Sequence, residues 1–481
     1  MKKMMKILAV LLCTVLLFGT LAACQQAGQE PSGQVEPSTG PQQTPPASQE
    51  VNPGPEDTGW KAGFTEQQLA DFYNAAIKVG YTEDFKYTAK GYTVGSGDNA
   101  EEVNYFQDLV KEKFPNAEFF KIEDQYDAAA ITAAGCDVVV GLNTYALQGL
   151  KQAAALKEFV PEWADEVAEN LNDSDNQYFA ISKDMILSMY RVTGVVDDSP
   201  DLEKQKDKET FGGIEIVDVS AVTDLWKEGS AYIGKYELDR YMNDWSDLAN
   251  KTFLVGILAN YLDASAVDTD CVTQEGWDQL QAMIDGRSKE WLGAETQKNV
   301  CATGDYINNI ATTQISFDYA SDGMDKAAWY WAAGKCARLD VIRYPDVPTF
   351  IYGAAILNTT DKVETSQLFM DYIGAAPTVL EMVKHVRTMI PANTTVFNET
   401  NVKELDENGS GSEYKDYTAA LDAEGNQVVR IIPSRQYMLT VNSIPAQDID
   451  WDLVCEHLDA WIARANGMSP APAPADPAPA A

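Results

Sequence analysis

Residues 136–147 read CDVVVGLNTYAL, and their order decides the fold. Asp137 to Val140 is a nearly continuous apolar run, the pattern of a strand buried on both faces. Gly141 to Thr144 follow, and Asn143 or Thr144 can cap the helix expected from Tyr145 through about Leu156. A buried strand running directly into a capped helix is the repeating unit of a mostly parallel α/β sheet. In such sheets ligands lie outside the carboxyl ends of the strands, where helix starts present unpaired amides.

The same alternation extends on both sides. Upstream, Thr65 and Gln68 form a capping box for a helix running to about Val79. A strand at Tyr87–Val94, a helix at Asn99–Phe114 and a strand at Ala117–Ile122 follow. Downstream, Tyr178–Tyr190 is a strand long enough to cross between two lobes, and Asp197–Glu209 is an exposed charged loop. Gly213–Val219 and Ala231–Tyr241 supply further strands or short helical pieces. Helices are expected at Lys251–Leu262, Thr273–Ile284, Glu364–Ile373, Val379–Val386 and Trp451–Ala465, and strands at Ile315–Asp318 and Phe350–Leu357. There is no internal repeat of 20 to 50 residues.

The chain begins with Lys2, Lys3 and Lys6, an apolar run from Ile7 to Phe18, and Leu21-Ala22-Ala23-Cys24. These are the charged, hydrophobic and cleavage regions of a secretory signal, and the ending looks like the lipobox of bacterial lipoproteins. Lipidation is therefore expected at Cys24, with the folded part on the outer face of a membrane. A transmembrane anchor is disfavoured, because no basic stop-transfer cluster follows and the next lysine is Lys61. Residues 25–60, rich in Pro, Gly, Gln and Ser, are a linker, and residues 469–481 form a Pro/Ala-rich tail.

The 481 residues carry 73 acidic and 36 basic side chains, for a formal charge of -37. Nucleic acid and anionic headgroups are poor partners for such a surface. Seven cysteines leave five once Cys13 and Cys24 are set aside: Cys136, Cys271, Cys301, Cys336 and Cys455. No CxxC pair points to zinc or redox work, Cys136 and Cys455 read as small core residues, and Cys271 with Cys301 is a candidate bridge. GxSxG, HExxH, GxxxxGK[ST] and GxGxxG are all missing. His385 and His457, the two histidines, read as structural or exposed, and AWYWAAG at Ala328–Gly334 reads as a core helix face or a pocket lining. No metal site or cofactor is expected.

Four loops share the form of a strand end, small or polar residues and a helix start. They are GSGDNAEE (Gly95–Glu102, with Asp98 and Glu101 as a possible capping box), GLNTYAL (Gly141–Leu147), WSDLANKTF (Trp245–Phe253) and FDYASDGMD (Phe317–Asp325). CDVVVGLNTYALQGLKQA, PEWADEV and YFAISKDMILSMYRV resemble the first lobe and crossover of bacterial extracellular solute-binding proteins of the type II periplasmic-binding fold. LANKTFLVGILANYLD, VTQEGWDQLQAMI, ISFDYASDG, VIRYPDVPTFIYGAAILN and TMIPANTTV follow in the order of the branch containing ferric-iron, thiamine and phosphonate binders. The resemblance covers roughly Tyr87 to Val396 and rests on order and spacing.

The resemblance implies an α/β fold of two lobes with hinge-crossing strands: lobe 1 from 61–190 plus 345–400, lobe 2 from 191–344, and a C-terminal segment, 401–468, packed on both. It implies a monomer that closes on a small-molecule or ion ligand and delivers it to ABC permease subunits, with no catalysis. Ser96, Gly97 and Asp98 match the first ligand loop, and Asn143 and Thr144 the loop after the second buried strand. Asn250 and Thr252 match a helix-start loop of lobe 2, and Asp318 and Tyr319 the loop where iron-binding relatives carry adjacent tyrosines. Here the chain departs from them, since no two of its tyrosines are adjacent. A surface hydrolase with an acidic site, and a sensory or adhesive module on the same fold, are the alternatives.

Overall fold

The computed structural model describes residues 59–82, 92–94, 101–103, 105–191, 214–238, 244–263, 270–287, 315–321, 339–385, 389–402 and 434–468. Helix α1 (Glu66–Tyr73) opens on the expected capping box: the Gln68 amide donates to the Thr65 hydroxyl, and the Thr65 amide donates to Gln68 Oε1 at 2.9 Å. It ends at Tyr73 and does not run to Val79. Asn74 turns its side chain back onto the Ala70 carbonyl, and Ile77–Thr82, with alternate apolar residues, pairs as strand β1.

The following strands are β2 (Tyr92–Val94), β3 (Glu101–Val103), β4 (Ala117–Ile122), β5 (Val138–Asn143), β6 (Leu156–Lys157) and β7 (Phe179–Arg191). Then come β8 (Tyr236–Leu238), β9 (Ile315–Tyr319), β10 (Leu339–Val341), β11 (Thr349–Leu357) and β12 (Ile390–Pro391). The further helices are α2 (Tyr105–Lys113), α3 (Ala128–Ala133), α4 (Thr144–Gln152), α5 (Leu248–Leu258), α6 (Gln274–Gly286), α7 (Val363–Ile373), α8 (Ala376–His385), α9 (Ser434–Ser443) and α10 (Trp451–Met468). Several boundaries differ from those expected. Glu101 starts a strand that pairs with β2 and does not cap a helix. Helix α4 stops at Gln152 because Ala154, at a positive φ of 52°, turns the chain so that Leu156 and Lys157 pair with β11.

The main sheet runs β4-β1-β5-β11-β7-β9-β8, with β6 on β11 and β10 and β12 on β7. The pairs β1/β4, β1/β5 and β8/β9 are parallel, whereas β11 is antiparallel to both β5 and β7. Every residue of β5 and β11 is buried, as their apolar runs require. Each fully buried Val, Leu, Ile or Phe there contributes about 1.5–3 kcal/mol. Gly353 must be glycine: a Cβ would press on the Phe179 carbonyl and on Leu147 at the bulge where β11 meets β7.

Strand β7 belongs to two half-sheets. Phe179–Met185 pairs with β11, while Ile186–Tyr190 pairs with β9. Its 13 residues span roughly 44 Å at about 3.4 Å each. The long strand read from the sequence is thus the crossing between a first lobe around β5 and β11 and a second around β9 and α5. Helix α10 touches both: Lys151 of α4 reaches Asp452 at 3.0 Å, and Trp461 donates to the Asp270 carbonyl at 2.7 Å.

Cysteines 136, 271 and 455 are free thiols. Cys271 is therefore not bridged; its Sγ lies 3.1 Å from His457 Nε2. Cys301, Cys336 and the stretch Ala328–Gly334 lie outside the described residues. Among the described residues no helix is long and apolar enough to cross a membrane.

Candidate functional site

The carboxyl end of β5 meets the start of α5 across the two lobes. Asn143 caps α4, accepting from the Ala146 amide at 3.1 Å, and its Nδ2 donates to the Tyr126 hydroxyl at 2.8 Å. Thr144 accepts at Oγ1 from the Ile351 amide at 2.9 Å, which spends its hydroxyl oxygen on locking α4 to β11. One residue on, the Tyr145 hydroxyl lies 3.2 Å from Thr252 Oγ1 in the second lobe, with both side chains buried. Burial pushes the Tyr145 phenol far above its ordinary range, so it stays protonated and available as a donor.

Helix α5 begins at Leu248, three residues before the expected Lys251, because Asp247 caps it by accepting from the Ala249 amide at 3.1 Å. Asn250 and Thr252 consequently sit inside the first turns and not on a loop. Asn250 Nδ2 turns back to the Asp244 carbonyl at 2.9 Å, and Thr252 reaches the first lobe at Tyr145. Between them Lys251 crosses the gap. Its ammonium stands 4.2 Å from the Tyr145 ring centre and 5.2 Å from that of Tyr126. Burial lowers the Lys251 pKa, against the opposing pull of Cys455, Asp247 and Asp459.

Tyr319, at the end of β9, is buried with its ring edge-on to Phe350 at 5.9 Å, and Phe350 meets Tyr352 at 5.3 Å. Tyr352 is paired with Asn143 in the sheet, so this aromatic row links Tyr319 to the capped end of β5. For Asp318 only the backbone, paired with Leu187, is described, and Ser96, Gly97 and Asp98 lie outside the described residues. Asn143, Thr144, Thr252 and Tyr319 are thus gathered around the start of β11.

Four further residues belong to this site. Gln125 and Tyr126, on the turn after β4, contact Asn143 through its amide and its side chain. Lys251 is the third. Asp184, within β7, accepts from the Met185 and Ser321 amides at 2.9 and 3.2 Å and from the Ser321 hydroxyl, tying the crossing strand to the segment just after Tyr319. Its signal was legible: Lys183-Asp184 is a pair of charges in the middle of an otherwise apolar strand. The site therefore offers hydroxyls, side-chain amides, ring faces, the Lys251 ammonium and the Asp184 carboxylate. Among the described residues no group of three His, Cys, Asp or Glu side chains is placed to hold a metal ion.

The two-lobed plan has solved counterparts. Apo FutA2 from Synechocystis PCC6803 superposes on 82% of this chain and 99% of its own with a TM-score of 0.51 and 11% identity. The chain has the type II periplasmic-binding fold. Other solved relatives of this fold are the ferric binding protein from Campylobacter jejuni (TM-score 0.47, 11% identity, 82% and 99% covered) and the spermidine/putrescine ABC transporter substrate-binding protein PotD from Streptococcus pneumoniae (TM-score 0.42, 12% identity, 81% and 100% covered). No family model matches the chain, and no curated protein sequence does. The junction of the two lobes is here the Asn143–Thr252–Tyr319 region.

Proposed function

We propose that this protein is an extracellular solute-binding lipoprotein that encloses a small ligand between its lobes and hands it to an ABC-type permease. The observation that carries the reading is the set of contacts between lobes at the carboxyl end of β5: Tyr145 on Thr252, and Lys251 over Tyr145 and Tyr126. A ligand bridging both lobes selects the closed arrangement, and β7 supplies the hinge. Binding and closure account for the site without bond-making: its hydroxyls and rings are suited to holding a ligand. Lipidation of Cys24 would keep the domain beside the permease, with residues 25–58 as tether, since Trp60 is already held in the fold by its hydrogen bond to Asp371.

Thermal unfolding of the full chain against metals, polyamines, phosphonates, sugars and thiamine-like compounds tests the binding. A ligand at about 1,000 times its dissociation constant adds on the order of 4 kcal/mol, which raises the melting temperature by degrees. The shift should disappear in Tyr319→Ala combined with Thr252→Ala. No shift from any compound, together with turnover of a wall glycan, would replace this reading with the hydrolase. Anchoring is tested separately, by incorporation of a labelled fatty acid that Cys24→Ala abolishes.

A further inference from the structure

The Lys251 ammonium is a buried cation without an anion. Lys251 is 9% exposed, and among the described residues no carboxylate lies within ion-pair distance of it; the Tyr145 and Tyr126 rings face it instead. Ring faces offset only part of what it costs to take a charge out of water without a counter-charge. Lys151 on α4 shows the ordinary solution, with Asp173, Asp175 and Asp452 all within 3.0 Å. In a chain with 73 acidic residues against 36 basic ones, the unpaired state of Lys251 does not follow from a shortage of carboxylates.

The groups around it do not supply the missing charge. Trp451, Cys455 and Asp459 recur every four residues and so share one face of α10. The Trp451 ring meets that of Tyr145 edge-on at 5.4 Å, and burial pushes the Cys455 thiol up to about 12, which keeps it neutral. Asp247 and Asp459 pull on Lys251 without pairing with it, and Asp247 is taken up in capping α5. Asp184 has both oxygens engaged by Met185 and Ser321.

A second shortage lies beside the first. The Tyr145 and Thr252 hydroxyls, both buried, bring two protons to one contact that uses one of them. Among the described residues neither hydroxyl has another partner, so one proton is left without an acceptor. Tyr145 stands in the first turn of α4 and Lys251 in that of α5, helices of nine and eleven residues whose starts add positive potential here. An ammonium, a surplus hydroxyl proton and two helix starts lack the same thing, an oxyanion, and a metal ion or polyamine would only add positive charge. We infer that the ligand of the lobe junction is a small organic anion whose carboxylate or phosphate group pairs with Lys251. The inference rests on the reading of the junction as a ligand site and adds the class of ligand. The net charge of -37 repels an anion at long range, but at physiological salt that field is screened over about 8 Å, whereas a buried pair is screened much less.

The test is calorimetric titration of the full chain with succinate, benzoate and glycerol phosphate, beside their uncharged counterparts succinamide, benzamide and glycerol, and the cation spermidine. A saturable event is expected with at least one of the anions and with none of the other probes, and the carboxylates and the phosphate ester tell the two kinds of oxyanion apart. Lys251→Met should weaken that event at least about tenfold, and so should Lys251→Gln, which keeps a donor without the charge. Neither variant should lower the melting temperature of the unliganded protein, because no ion pair is lost. An event with spermidine or an uncharged probe that Tyr319→Ala with Thr252→Ala removes and Lys251→Met leaves intact would keep the junction as a ligand site and overturn the anion. An anion event of full strength in Lys251→Met would overturn it as well, and a fall in melting temperature alongside would make Lys251 a structural cation. The absence of any saturable event would remove the ligand site and the inference together.

Discussion

The Lys251 ammonium stands 4.2 Å from the centre of the Tyr145 ring, and the neighbouring Thr252 hydroxyl lies 3.2 Å from the Tyr145 hydroxyl. One side chain of the first lobe therefore meets two consecutive residues of the second. Thr252→Val keeps the shape and removes the hydroxyl, leaving a buried phenol short of a partner at a cost of about 1–2 kcal/mol. Tyr145→Phe should cost a similar amount, and the double variant less than the sum of the two. Urea unfolding of all four proteins gives the coupling, and small-angle scattering should show the single variants to be more open.

Lys183 predicts a pH dependence. It lies in the crossing strand, 5% exposed, paired in the sheet with Ile351 and Ile390, and burial brings its pKa down to about 8. Between about pH 8 and the ordinary 10.5 the unfolded chain holds a proton that the folded chain has released, so stability rises with pH across that window. Below it the full penalty applies, on the order of 3 kcal/mol. Lys183→Met should be more stable than the parent at pH 7, by up to that amount, and the gap should narrow by pH 10. Denaturation midpoints at the two pH values decide it; a gap that does not change with pH would show that the ammonium is not desolvated.

What the sequence made legible and what it hid divide along physical lines. The strands β4, β7 and β11 were read almost to the residue, because an apolar run bounded by polar punctuation is a local signal. The cap of α4 was read as Asn143 or Thr144, and Asn143 holds it. The start of α5 was missed because Asp247 and Asn250 are both plausible caps, and only the Asn250 contact with the Asp244 carbonyl decides between them. Lys251 and Tyr126 were missed because their partnership joins residues 125 positions apart, and nothing along the chain announces a pair at that separation. The bend of α1 into β1 near Asn74 was masked by a helical spacing that continued into IKVGYT.

Gly256 allows α5 to lie against the start of β11. A Cβ there would overlap the Pro348 ring, and Gln447 Nε2 already donates to the Gly256 carbonyl at 2.9 Å. Neither the proline ring nor the strand behind it can retreat cheaply, so Gly256→Ala is expected to destabilise by about 1–3 kcal/mol through overpacking. Because this contact sets the distance between the second lobe and the crossing strands, the variant should also weaken ligand binding more than its loss of stability explains. Chemical denaturation and ligand titration on the same preparation separate the two effects.

Helix α10 is held at its far end by Trp461, which is fully buried and donates to the Asp270 carbonyl, and by Arg464, which pairs with Asp270 at 2.9 Å and lies over the Trp277 ring at 4.1 Å. At its near end Asp452 pairs with Lys151, a partly exposed pair worth little by itself, and the Trp451 ring meets that of Tyr145 edge-on at 5.4 Å. The far end is the more deeply buried anchor, so the helix is expected to move with the second lobe. Trp461→Ala should cost about 3–5 kcal/mol, the usual range for emptying an aromatic site in a core. The loss should fall first on α6, which contacts Arg464 through Trp277, and last on β4, at the opposite edge of the sheet. Hydrogen exchange resolves this: faster exchange in Gln274–Gly286 with Ala117–Ile122 still protected would fit a helix that belongs to the second lobe, whereas equal acceleration in both would mean that α10 braces the two lobes as one unit and must be broken for them to open.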